Sequence, residues 1–245
     1  MATSYDLIAE DFLSDLAALS NLVQSAHNSG SSAKARVASV NSATLLLAAT
    51  FEEFVRQLGR QFARDVVSRT IDPKKLPKKL TATAWKRTLE NLARAKIDTG
   101  GTPLSLEHIS ADSRVKFDAV WAFLGGDISQ DIYDSLIHNE NNMRPSEINA
   151  VFSICDLPNI CLKICDHEVM KNHFGEEDSG KVHGMFLTSL NDFMEMRNDI
   201  AHSLNAGSSA GPDKFYGYVS TFNAIALALA TRLPDSLPRA EQLDG

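Results

Sequence analysis

Apolar residues recur every three to four positions along most of this chain, and no stretch alternates between apolar and polar residues over several positions. The first spacing is that of one face of an α-helix, whereas the second would mark a half-buried strand. Because the chain has neither a sustained alternating run nor an internal repeat, the sequence predicts an all-α protein. Its 245 residues are enough for a substantial hydrophobic core.

The periodic stretches and the breakers between them predict the order of the helices. Two long helices come first, at residues 5–27 and 33–68, and they are expected to form an antiparallel pair. A loop with two prolines follows, from Pro73 to Leu80. Thr81 or Thr83 is then expected to begin the next helix. The remaining helices are predicted at residues 112–124, 127–138, 146–155, 158–173, 185–203 and 213–232.

The helix predicted at 185–203 carries a charged residue on its apolar face. Arg197 lies four residues after Phe193, inside the stripe, and a buried guanidinium must be paired, reach water or line a groove. His202 follows five residues later, about 140° further round the helix. The two side chains can therefore flank one edge, on which Asn198 and His202 are spaced i, i+4. The stripe comprises Phe186, Leu190, Phe193, Met194, Ile200, Ala201 and Leu204.

Glu52, on the second long helix, is the acid best suited to face this edge. It shares its column of the helix with the small residues Ala48 and Gly59, which let another helix approach closely. Glu52 is therefore a candidate to orient Arg197 or His202. An ordinary surface glutamate is the alternative.

Two segments resemble the HEPN superfamily. Arg197 to His202 resembles its Arg-x4-His signature, in which asparagine commonly follows the arginine, as Asn198 does here. Ala48 to Phe54 resembles a small-x-x-aromatic-acid element in the second helix of HEPN proteins. The chain looks most like the RiboL-PSP-HEPN and MAE_28990-like groups, which resemble components of bacterial toxin or phage-defence systems. The resemblance covers roughly residues 35–70 and 183–232.

The resemblance implies a single HEPN-like domain over residues 1–245. Its bundle of four to five helices would be built from about 5–69 and 183–232, with a helical insertion at about 80–175. It also implies a metal-independent endoribonuclease that cleaves RNA by attack of a ribose 2′-hydroxyl on the adjacent phosphate. A non-catalytic HEPN-like module for protein binding or dimerisation is the alternative. A small-molecule or nucleotide sensor using the inserted helices is a third hypothesis.

The same resemblance implies five catalytic residues. Histidine is the side chain whose unperturbed pKa lies nearest neutrality, so His202 would transfer protons, and Arg197 would bind the phosphate oxygens. Asn198 would hold the phosphate or the imidazole. Asp199 and Glu52 would fix the rotamers of Arg197 and His202. In HEPN nucleases two signature helices meet in a dimer and form one composite cleft. The resemblance therefore implies a homodimer.

Basic residues are concentrated in one part of an acidic chain. The net charge is −7, yet the stretch from Arg56 to Lys96 holds 12 basic and three acidic residues, which leaves −16 on the remainder. Such a block can supply phosphate contacts, so RNA is a candidate partner. A solvated helix face and loop is the alternative. The candidate RNA-binding residues are Lys74, Lys75, Lys78 and Lys79.

Patterns for other kinds of site are missing. The three cysteines, Cys155, Cys161 and Cys165, match no common zinc spacing and are predicted to be buried thiols, with reactive chemistry as the alternative. No cofactor or metal is expected. No apolar run is long enough to span a membrane, and the N-terminus does not resemble a signal peptide. A cytoplasmic location is expected, and an antitoxin or regulatory protein is a further candidate partner.

Overall fold

The computed structural model describes residues 2–94, 111–137, 142–202 and 211–239. In these ranges the regular elements are helices and none is a strand, which confirms the all-α class. No helix in the described ranges has the length and apolar content needed to cross a membrane. The helices are α1 Ser4–Asn28, α2 Ala33–Ser68, α3 Lys78–Arg94, α4 Ala111–Leu124, α5 Tyr133–Leu136, α6 Pro145–Ser153, α7 Ile160–Ile164, α8 Glu168–Phe174, α9 Ser179–His202 and α10 Gly211–Asp235.

Three helix starts show how local capping sets the boundaries. A capping box between Thr3 and Asp6 begins α1. In α3 the first turn starts at Lys78, three residues before the first predicted start, because the Pro77 carbonyl accepts from the backbone N–H of Leu80. In α9 the Asp178 carboxylate accepts from the Lys181 N–H, so the helix begins at Ser179, six residues before its predicted start.

The middle of the chain is less helical than predicted. Of the segment predicted at 127–138, the structure describes residues 127–137, and the helix among them is the single turn of α5. The segment 158–173 divides into α7 and α8. The division comes at His167, whose ring nitrogen accepts from the Val169 N–H and caps α8. Between α2 and α3 the predicted loop includes a 3₁₀ turn, Pro73–Lys75.

The core is built where α1, α2 and α10 pack on one another. Phe12 of α1 stacks on Phe54 of α2, with ring centroids 4.4 Å apart. Phe51, also on α2, meets Phe222 of α10 at 4.4 Å. All four rings are almost fully buried, and burying a phenyl side chain contributes about 1.5–3 kcal/mol. These contacts fix the two ends of the described chain against each other.

The same aromatic cluster sets the position of α9. Phe193 of α9 lies edge-on to Phe222, at 4.7 Å, and to Tyr218, at 4.9 Å. Arg197 follows Phe193 by one helical turn, and Glu52 directly follows Phe51. The ring contacts from Phe51 through Phe222 to Phe193 therefore bring these two polar residues to the same region.

The segment between the two ends covers further faces of the bundle. Within it α5 and α6 pack on α2, while α7 and α8 pack on α9 and α10. At Gly59 a Cβ atom would lie only 2.6 Å from Val151 Cγ1, so the absence of a side chain allows α6 to come close. The close approach at Gly59 is thus made by α6, and not by the helix that carries Arg197.

Candidate active site

Polar side chains from three segments meet beside the C-terminal half of α9. They come from α2, from the residues just before α6 and from α9 itself. We call this group the Arg197 cluster. It comprises Glu52, Asn142, Arg144, Asn191, Arg197 and Asn198.

Arg197 is half-buried, as its place in the apolar stripe predicts. Its Nη1 donates to Asn198 Oδ1 at 3.1 Å, and its charge acts on the Glu52 carboxyl. Its Nε is buried and has no hydrogen-bond partner among the described residues. A buried guanidinium N–H without an acceptor is costly, and an anionic ligand oxygen would satisfy it.

Glu52 lies largely out of solvent, with 15 % of its side chain exposed. Burial raises the pKa of its carboxyl, and this effect outweighs the opposing effects of Arg56, Arg197 and a hydrogen bond from the Met143 N–H. The nearer contact is with Arg56 Nη2, at 3.9 Å. Oε1 is buried without a hydrogen-bond partner in the described part of the chain. Glu52 is therefore paired with Arg56 and lies within electrostatic reach of Arg197, and its protonated form is favoured relative to an exposed glutamate.

The raised pKa of Glu52 predicts a pH-dependent stability difference for Glu52→Gln. The folded protein holds this proton more tightly than the unfolded chain does, so ionisation of Glu52 opposes folding. The cost is absent well below the ordinary carboxyl pKa of 4.5, grows as the pH rises above it, and levels off above the folded pKa. Glutamine cannot ionise. Thermal unfolding should therefore give the variant a higher melting temperature than the wild type near pH 7, and the difference should shrink near pH 4.

Glu53→Gln is the matched control, and it is expected to change the melting temperature in the opposite direction. Burial raises the pKa of Glu53, but hydrogen bonds and charge from Arg60 and Arg56 outweigh it and lower the pKa overall. The ionised Glu53 carboxylate therefore stabilises the folded protein above the ordinary carboxyl pKa. This stabilisation is lost as the pH falls through the lower pKa that Glu53 has in the folded state. This variant should melt below the wild type near pH 7. Equal melting temperatures for wild type and Glu52→Gln across the pH range would contradict the burial effect at Glu52.

The residues just before α6 connect the middle of the chain to α9. Asn142 Nδ2 donates to Asn198 Oδ1 at 3.0 Å, and Arg144 Nη1 donates to Asn191 Oδ1 at 3.2 Å. Because Asn198 Oδ1 accepts from both Asn142 and Arg197, the orientation of its amide is fixed and its NH₂ remains to donate elsewhere. We call residues 142–144 the clasp. Sequence reasoning missed the clasp because an irregular segment has no periodicity; its only signal is polar residues directly before Pro145.

His202 and Asp199 are exposed near the C-terminal end of α9. In the described ranges, no hydrogen bond or ion pair joins either residue to Glu52, Arg197 or Asn198. His202 is about 7.5 Å beyond Arg197 along the helix axis. The structure thus brings Glu52, Arg197 and Asn198 together within one chain and leaves His202 and Asp199 facing solvent. Of the predicted stripe, Ala201 is also exposed, and Leu204 lies outside the described residues.

The four candidate RNA-binding lysines lie at a distance from the Arg197 cluster. Lys74, Lys75, Lys78 and Lys79 are all exposed, and Lys79 Nζ donates to Ser153 Oγ at 2.5 Å. They follow the end of α2, which is about 24 Å along the helix axis from Glu52. These lysines remain candidates for contact with RNA, but they do not border the cluster.

Several arginines of the basic block are paired with acids that lie outside it. Arg56 and Arg60 both bind Glu53, at 3.1 and 2.8 Å. Arg60 also pairs with Asp134, and Arg64 lies 3.5 Å from Asp131. The positive charge expected from the sequence is therefore partly neutralised along α2, mainly by residues that a local count does not include. Lys96 of the block lies outside the described residues.

The three cysteines are buried and free, as predicted. Burial raises the pKa of Cys155 and of Cys165 to about 12, and it raises the pKa of Cys161 as well. Their thiols are protonated at neutral pH, so none is an activated nucleophile. In the parts of the chain that the structure describes, no group of three or more histidine, cysteine, aspartate or glutamate side chains is arranged to hold a metal ion.

Comparison with known proteins identifies one family. The family model described as RiboL-PSP-HEPN matches residues 10–234. The match includes α2 and α9, on which the resemblance rests, and also the whole segment between them. Neither the curated proteins nor the solved structures contain a significant match to the chain.

Proposed function

The chain belongs to the RiboL-PSP-HEPN family, and from that membership we propose that it is a metal-independent endoribonuclease. A HEPN-type domain is a ribonuclease or a nucleotide-binding module. The observation that favours catalysis is the state of Arg197, a half-buried cation whose Nε lacks an acceptor in the described residues. It lies on the helix that also carries His202, the side chain suited to proton transfer.

The proposed reaction needs no metal. The 2′-hydroxyl of one ribose loses its proton to a base and attacks the adjacent phosphorus. The bond from phosphorus to the 5′-oxygen breaks, and that oxygen takes up a proton from an acid. The products carry a 2′,3′-cyclic phosphate and a 5′-hydroxyl. His202 transfers protons in this proposal, and Arg197 stabilises the charge that develops on the phosphorane oxygens.

The other members of the Arg197 cluster position these groups. The Asn198 amide oxygen accepts from the Arg197 guanidinium and from Asn142. Glu52, on whose carboxyl the charge of Arg197 acts, is assigned to orienting that guanidinium. The NH₂ of Asn198, for which no acceptor is found among the described residues, is assigned to donating to a phosphate oxygen. Asp199, on the exposed end of α9, is assigned to orienting His202.

A dimer would bring the separated groups together. Within one chain the exposed imidazole of His202 forms no hydrogen bond with Arg197. One copy therefore does not place all of the proposed catalytic groups side by side. If the C-terminal ends of two α9 helices meet, the His202 of one copy can lie beside the Arg197 of the other. We therefore include a homodimer with a composite cleft in the proposal.

The domain organisation and the biological role are further parts of the proposal. Residues about 80–175 are an insertion between the halves of one HEPN-like domain, supported by the packing of α1, α2, α9 and α10. The protein acts on RNA as a toxin or phage-defence effector in the cytoplasm, with an antitoxin or regulatory protein as its counterpart. This role is supported by the resemblance to such systems.

A non-catalytic module is the second candidate function. It is favoured by the exposure of His202 and by the lack of a contact between His202 and the Arg197 cluster within one chain. In that case the exposed end of α9 would bind a partner protein, and substitutions at Arg197 would change association without changing any RNA cleavage.

The test is cleavage of a labelled single-stranded RNA by the purified protein in the presence of EDTA. The expected result is cleavage with cyclic phosphate and 5′-hydroxyl ends. The same RNA with 2′-O-methyl riboses should remain intact because it has no attacking hydroxyl. Cleavage that requires added magnesium, or products with 3′-hydroxyl ends, would contradict the proposed mechanism. An intact RNA under all conditions would favour the non-catalytic module.

A further inference from the structure

Helices α3 and α4 pack against each other and present a cluster of aromatic rings. Trp85 of α3 lies 5.9 Å from Trp121 and 6.2 Å from Phe117, both on α4. Phe117 and Trp121 are stacked, with 14° between their planes. We call these three rings the aromatic platform. Its outermost member, Trp121, is 62 % exposed.

Exposed apolar side chains extend the platform on both helices. Leu89, one turn beyond Trp85, and Leu124, near the end of α4, are both exposed. A contiguous exposed apolar surface of this kind commonly marks an interaction site. Indole and phenyl faces bind nucleic-acid bases by stacking, which every base can do because each has a π-face.

The charge on α3 favours a polyanion as the ligand. This helix holds five basic residues and one acidic residue, in a chain whose net charge is −7. Lys78 is seven residues from Trp85 and so lies on the same helical face, and Lys79 and Lys86 are related to each other in the same way. All three lysines are exposed. Lys78 therefore lies on the face of the rings, while Lys79, which donates to Ser153, and Lys86, 3.7 Å from Glu90, lie on an adjacent face of α3. Exposed cations beside aromatic rings are the combination found in proteins that bind single strands.

A polar cleft lies beside α3 and α4. It has a volume of about 350 Å³ and lies where these two helices meet α2 and α5. Arg60, Asn91 and Lys116 are among its lining residues. Arg60 is about 12 Å along the axis of α2 from Glu52.

We propose that the aromatic platform binds unpaired bases of single-stranded RNA, while the lysines of α3 contact the phosphates. The inference rests on the proposed function, because RNA is the ligand in both. It assigns Trp121 to substrate affinity, with no part in the bond-breaking step. The platform would bind a part of the RNA strand away from the phosphate that is cleaved. It would give RNA with unpaired bases a higher affinity than paired RNA.

Intrinsic fluorescence offers a direct test, since the two tryptophans of the chain, Trp85 and Trp121, are both in the platform. The probe is an oligouridylate with 2′-O-methyl riboses, which the proposed reaction cannot cleave. Its titration into the full-length protein should quench the fluorescence. Trp121→Ala should weaken binding by roughly 5- to 150-fold, the range found for loss of one stacked base. Trp121→Phe, which keeps a ring, should restore most of the affinity.

Val115→Ala is the control variant, because Val115 is an exposed residue of the same helix on a face away from the stacked pair. It should bind the oligonucleotide like the wild type. Equal affinity in wild type and Trp121→Ala would overturn the proposal. So would protein self-association that depends on Trp121, since the platform would then contact a second copy.

Failure of the platform proposal and failure of the proposed nuclease function would give different results. Binding that depends on Trp121, without any cleavage of unmodified RNA, would support the platform and contradict the nuclease. Cleavage of unmodified RNA with an affinity that does not depend on Trp121 would do the reverse.

Discussion

Arg197→Ala is expected to lower the rate of RNA cleavage by about 10²- to 10³-fold, the range for loss of one charge-stabilising donor in an active site. The half-buried guanidinium, which donates to Asn198, is the group assigned to the phosphorane oxygens. Cleavage of a labelled RNA in EDTA measures the effect. Arg197→Lys keeps the charge but loses the planar fork, so it should recover only part of the rate.

The controls separate loss of chemistry from loss of folding. Arg36→Ala removes another partly buried arginine, near the start of α2, whose Nη1 donates to the Ser31 carbonyl. It should cleave RNA at the wild-type rate. In cells, induced expression of the wild type should arrest growth and degrade RNA, whereas Arg197→Ala should do neither. Wild-type cleavage by folded Arg197→Ala would contradict the role assigned to Arg197.

His202→Ala is expected to lower cleavage by about 10²- to 10⁴-fold, the usual contribution of general acid–base catalysis. Because His202 is exposed at the end of α9, its removal should leave the melting temperature nearly unchanged. The loss of rate should therefore occur in a fully folded protein. His183→Ala, on the first half of the same helix, is the matched control and should retain wild-type cleavage.

Mixing the two inactive variants tests the composite cleft. If His202 of one copy acts beside Arg197 of the other, a dimer of one Arg197→Ala chain and one His202→Ala chain contains one intact pair. The mixture should then recover a sizeable fraction of the wild-type rate. A mixture as inactive as its components would show that the two residues do not act across a dimer.

The helices that the sequence predicts best are those whose apolar period is long and uninterrupted. The prediction for α2, 33–68, agrees with its observed bounds, since its buried face runs from Val40 to Val67 without a proline. The prediction for α3 started late, because a proline carbonyl rather than a threonine side chain receives the first N–H bonds. Short helices such as α5 depend on packing against α2, which a local pattern does not contain.

The candidate site was predictable only where it lies on regular helices. The position of Arg197 in an apolar stripe predicted its partial burial. The small residues near Glu52 predicted the close approach of another helix, and at Gly59 that helix is α6. The clasp could not be found in this way, since Asn142 and Arg144 act through contacts with residues about 50 positions away. The partners of Arg60 and Arg64 were missed for the same reason, because Asp131 and Asp134 are distant in sequence.

The Arg197 cluster also has a consequence for the order of events during protein synthesis. Its groups come from α2, from the clasp and from α9, so they are made at three separate times by a translating ribosome. The cluster cannot assemble before α9 has been made and has packed against Phe222 of α10. If the protein cuts RNA as proposed, a nascent chain that has not reached this point carries no assembled cluster. Under that proposal, a nascent chain cannot cut the messenger from which it is being translated before α10 has been made.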